Sequence, residues 1–60
     1  MSLLTIEGAA DMLAVHPRTI RRYVAGGHLP GYRIGPRQLR VKREDVLALL
    51  VPIPTAGGHR

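Results

Sequence analysis

The sequence predicts a small α+β domain with the order helix, tight turn, helix, two-stranded hairpin, helix. Two apolar stripes of helical spacing lie on either side of a three-residue break. Two runs of alternating apolar and polar residues then flank a Gly-Pro-Arg turn, and an apolar cluster follows a pair of acids near the end.

In the first segment Ile6, Ala9, Ala10 and Leu13 recur at i, i+3, i+4 and i+7, the stripe of a short amphipathic helix. Thr5 is suited to cap it. Gly8 stands where a capping box needs Glu or Gln, so the reciprocal bond is absent, although Glu7 favours the helix N-terminus. Ala14, Val15 and His16 interrupt the stripe, and Pro17 suits the first position of a second helix with His16 as its cap. In that helix Ile20, Tyr23 and Val24 share one face, while Arg18, Arg21, Arg22 and Ala25 fall on the other. Gly26-Gly27 supplies the left-handed stop.

Beyond it, Tyr32 and Ile34 alternate with Arg33, and Leu39 and Val41 alternate with Gln38 and Arg40. Each run reads as a short strand with one apolar face, joined to the other through Gly35-Pro36-Arg37. Glu44 and Asp45 open a third helix carrying Val46, Leu47, Leu49 and Leu50, which Pro52 should end. Ile20, Val24, Leu13 and Leu50 are expected in the core, with Tyr23 and Tyr32 on its apolar faces. Residues 1–52 form the domain, and residues 53–60, rich in Pro and Gly, read as a flexible tail.

Sixty residues make one domain, and a chain of that size buries only about 60% of its unfolded surface, so stability is marginal. There is no room for a cleft between lobes, and no nucleophile motif, paired acid and base, or Gly-rich phosphate loop is present. An enzyme is not expected. The chain has no Cys, which excludes disulfide staples and Cys-ligated zinc. His16, His28 and His59 match no metal motif by spacing, so no cofactor is expected. Without a signal peptide or a run of membrane-spanning length, the expected location is the cytoplasm.

The net charge is +5. Its distribution is more informative than its size: the four acids, Glu7, Asp11, Glu44 and Asp45, lie towards the ends, and residues 12–43 carry basic residues and no acid. Eight of the nine basic residues are Arg, which suits bidentate contact with guanine edges and phosphates. Two helices across a tight turn, followed by a hairpin, make a winged helix-turn-helix. Its second helix is expected in a groove of double-stranded DNA.

At this point the chain resembles the excisionase-like branch of the MerR-type winged-helix proteins. The matching stretches are Leu4-Thr5-Ile6-Glu7, Ala9-Ala10, Leu13, Val15, the run Pro17 to Arg22, Leu29-Pro30, Tyr32-Arg33-Ile34-Gly35 and Arg43-Glu44-Asp45-Val46. Ala14 stands where the family usually has Gly, His16 where Ser usually caps the second helix, and Gly8 where a helix former is usual. The resemblance implies an excisionase, or recombination directionality factor, of a phage or integrated element. Such a protein is not itself a recombinase. It occupies tandem sites at an attachment region, bends the DNA, contacts other copies of itself there and directs a tyrosine integrase towards excision. With no heptad for a stable dimer, the free protein is expected to be a monomer.

The candidate DNA contacts are Arg18, Thr19, Arg21 and Arg22 on the second helix, with His16 near its cap available to phosphate. Arg18, Thr19 and Arg22 are expected to reach deepest, and the competing reading is a solvated helix face. In the hairpin the candidates are Arg33, Arg37, Gln38 and Arg40, with Arg37 entering the minor groove from the tip. The alternative for these four is edge charge that discourages aggregation. Lys42 and Arg43 either touch phosphate or merely flank the third helix. Two other functions fit the same fold: a small transcription regulator on promoter DNA, and an adaptor that has lost DNA binding.

Overall fold

The computed structural model describes residues 2–54, and its elements run β1 (Leu3–Thr5), α1 (Ile6–Leu13), α2 (Pro17–Ala25), β2 (Tyr32–Ile34), β3 (Gln38–Lys42) and α3 (Arg43–Leu47). This is a winged helix-turn-helix in which the wing belongs to a three-stranded antiparallel sheet of order β1-β3-β2. The third strand was not expected from the sequence. Leu3–Thr5 is too short to show a period, and it pairs with a segment nearly forty positions away, Leu3 with Lys42, Leu4 with Val41 and Thr5 with Arg40. Arg43 N–H extends the ladder by donating to the carbonyl of Ser2 at 2.9 Å.

The α1 helix starts as its cap predicts, with the Thr5 hydroxyl oxygen accepting from the Gly8 N–H at 2.9 Å. At its other end Ala14 takes the left-handed conformation (φ 56°, ψ 44°). Val15 N–H donates to the Ala10 carbonyl at 2.9 Å and Ala14 N–H to that of Asp11 at 3.2 Å, the paired bonds of a Schellman motif. The same device closes α2, with Gly27 at φ 81° and His28 N–H donating to the Tyr23 carbonyl at 2.9 Å.

Ile20, Leu29, Val41 and Val46 are the largest fully buried side chains, and buried Ala9 and Ala10 offer α2 a surface without bulky side chains. Leu13 and Val24 pack against this core while remaining partly exposed. Gly31 sits where the wing meets α2: a Cβ there would lie 2.7 Å from Val24 Cγ1 and 3.2 Å from Leu39 Cδ1. Only a glycine lets the wing root come this close to α2 without displacing it.

Two expected core residues are not in the core. Leu50 is 63% exposed, because α3 ends at Leu47 instead of running to Pro52, and the chain then tightens into i→i+3 bonds from Leu49 N–H to Val46 and from Leu50 N–H to Leu47. At three residues per turn Leu49 eclipses Val46 and keeps the core contact, while Leu50 is rotated away. Tyr32 is 38% and Ile34 47% exposed, because the register pairs Tyr32 with Arg40 and Ile34 with Gln38. Cross-strand partners share a face, so the apolar side of β2 lies with the polar side of β3, away from the helices.

Residues 53 and 54 of the expected tail have no regular secondary structure and are exposed, and its remainder, 55–60, lies outside the described residues. No described helix is long and apolar enough to cross a membrane.

Candidate nucleic-acid interface

Helix α2 owes its direction to its cap. His16 is extended (φ −73°, ψ 144°) and its Nδ1 accepts from the Arg18 N–H at 3.1 Å, so an imidazole does here what a hydroxyl oxygen usually does. Pro17 occupies the first turn, where its missing N–H costs nothing. Ile20, fully buried, anchors the inner face. Opposite it Arg18, Arg21 and Arg22 are all exposed, with Thr19 half-buried beside them. The three guanidinium groups thus share one solvent-facing side of a rigid helix, the geometry of a groove-reading element.

The sequence order of charges changes in space. Glu7, at the start of α1, comes within 3.9 Å of the Arg21 guanidinium, both side chains being well exposed. Such a pair contributes little to stability. It does turn Arg21 towards α1 and leaves Arg18 and Arg22 without an acidic neighbour among the described salt bridges.

The structure divides the wing candidates. Arg37 lies in the turn between β2 and β3, exposed at the tip, with Gly35 at φ 67° reversing the chain. Arg33 pairs with Leu39 and so lies on the helix side of the sheet, while Gln38 and Arg40 lie on the opposite side. Arg40 is not a free cation arm: its guanidinium donates to the Leu39 carbonyl at 3.0 Å and to Gln38 Oε1 at 3.2 Å. On the same outer side Lys42 Nζ stands 4.9 Å from the centre of the Tyr32 ring, a cation–π contact.

The outward surface around Leu3, Tyr32, Ile34 and Lys42 was missed from sequence. The signal for part of it was present: a three-residue turn between Ile34 and Gln38 makes those two residues partners, and so commits them to one face. Among the described residues no group of His, Asp or Glu is arranged to hold a metal ion.

A helix-turn-helix with a cationic second helix and an adjoining wing defines a class of DNA-binding proteins. The chain belongs to the helix-turn-helix domain family, whose model matches residues 3–50, and is an excisionase-type member, a DNA-binding accessory protein and not an enzyme. It is 49% identical over 49 residues to the excisionase of Mycobacterium phage D29, covering 82% of this chain and 88% of that protein. It is also 43% identical over 49 residues to the transcriptional repressor DcmR of Methylorubrum extorquens. That match covers 80% of this chain but 18% of the repressor.

Proposed function

We propose that this protein is an excisionase that binds tandem sites in an attachment region, bends the DNA and directs a tyrosine integrase towards excision. The observation that carries the reading is the 49% identity to a phage excisionase across 88% of that protein's length. Similarity over nearly the whole length of that small protein supports a like role.

Within it, Arg18, Thr19 and Arg22 contact base edges from the N-terminal half of α2. Arg21 and His16 contact phosphate, and Arg37 enters the minor groove from the wing tip. Arg33, Gln38 and Arg40 serve the flanking backbone. One 60-residue unit covers only a short half-site, so specificity comes from several copies, each a monomer when free. Bending a site of 20–30 base pairs costs on the order of 1–6 kcal/mol, and copies binding together share that cost. The protein acts on DNA in the host cytoplasm, through residues 1–52, with 53–60 as an appended tail.

A second reading is a small promoter-binding regulator, favoured by the 43% identity to a repressor over the same residues. DNase protection on attachment-site DNA, with and without the integrase, separates the two. The excisionase reading expects protection of adjacent sites, and an integrase footprint that shifts in the protein's presence. An unchanged integrase footprint, beside specific protection of a promoter, contradicts it.

A further inference from the structure

The side of the sheet turned away from the helices carries Leu3, Tyr32 and Ile34, which are 45%, 38% and 47% exposed, together with Lys42, whose ammonium stands over the Tyr32 ring. No acid occupies an outward position of the three strands. An apolar surface with a fixed cation and no anion calls for an occupant that is apolar and acidic. The same chain supplies one. Glu44 and Asp45 open α3, and after them Leu47, Leu50, Val51 and Ile53 are exposed, the last two at 75% and 81%. Val51 and Ile53 each precede a proline, which disfavours helical backbone at both, so their exposed side chains lie along an open segment. Pro52 and Pro54 have no N–H for a sheet edge, so the segment suits a face and not an edge.

We propose that the outward sheet face of one molecule receives the Glu44–Ile53 segment of a second copy on the adjacent DNA site. The proposal rests on the tandem-site reading above and names the surfaces that reading lacks. Pairing sheet face to sheet face would set Lys42 towards its own copy, so like-charge repulsion disfavours a symmetric dimer. Face to segment brings opposite charges together. Two different patches joined in this way form a contact that need not close, and it can repeat from site to site along DNA.

The chain has no Cys, so paired reporters can be placed cleanly. Ile34→Cys and Ile53→Cys variants, mixed in equal amounts on DNA with one or two tandem sites, are treated with a short bis-maleimide. The expected product is a mixed cross-link, at least about tenfold more abundant on the two-site DNA. In parallel, Ile34→Thr and the double variant Val51→Ser, Ile53→Ser are expected to lose about tenfold in cooperativity while keeping single-site affinity. Ile34→Cys linked to itself, or a link within one molecule carrying both cysteines, overturns the proposal. Loss of single-site affinity in Ile34→Thr does so too, because the apolar side chains of the face then meet DNA. If the variants bind tandem sites like wild type and lose only their response to integrase, the occupant is integrase and the proposal fails. Cooperative wild-type binding without the mixed link defeats these surfaces alone. Independent occupancy by wild type defeats the tandem reading and this proposal together.

Discussion

At Ala14 a side chain sits in backbone that favours glycine. Its φ of 56° brings Cβ against the following carbonyl, at a cost of about 1–2 kcal/mol. Glycine removes that strain but adds freedom to the unfolded chain, worth about 0.5–1 kcal/mol in the other direction. Ala14→Gly is therefore expected to stabilise by about 0.5–1 kcal/mol, raising the melting temperature of so small a domain by several degrees. A calorimetric scan checks it, and a lowered midpoint would show that Ala14 contributes packing that glycine cannot replace. The position of this turn was legible because the apolar stripe stops at Leu13 and Pro17 restarts the helix. The role of His16 was legible too, since the residue before a helix-opening proline is placed to cap.

At the scale of elements, the DNA contacts proposed for α2 and for the wing differ in kind. Arg22 lies exposed on the helix face opposite Ile20, whereas the Arg40 guanidinium is held by the Leu39 carbonyl and Gln38. Arg22→Ala is expected to cost about 1–3 kcal/mol on the preferred site and to relax discrimination at one base pair. Arg40→Ala should weaken all sequences by similar factors. Binding titrations on the preferred site and on single-base variants distinguish them, and equal loss of specificity in both variants would reverse the assignment. Helix and strand identities followed from period alone, but which face of β2 is buried did not. Alternation says that one side of Tyr32–Ile34 is apolar, and only the pairing of Ile34 with Gln38 says where that side points. The three-residue turn contained that answer, because a hairpin register follows from loop length.

At the scale of the whole molecule, stability rests on one small core. Ile20 is fully buried and belongs to the same core cluster as Ala9, Ala10, Leu29, Val41 and Val46. Ile20→Ala is expected to destabilise by about 2–5 kcal/mol. For a domain of this size that is most or all of its stability, and urea unfolding would show the midpoint collapse. A loss under 1 kcal/mol would mean that the site refills by repacking. What sequence could not reveal at this scale is long-range. β1 exists only because β3 offers it an edge, Leu50 is exposed only because the chain tightens after Leu47, and Glu7 meets Arg21 only because α1 packs on α2.

On the proposed reading the cationic face of α2, with the wing beside it, binds DNA by displacing counterions. The affinity for attachment-site DNA measured from 50 to 200 mM salt tests this most directly. With about five phosphates neutralised, log K should fall against log salt with a slope near −4.5. A flat line across that range would contradict the account.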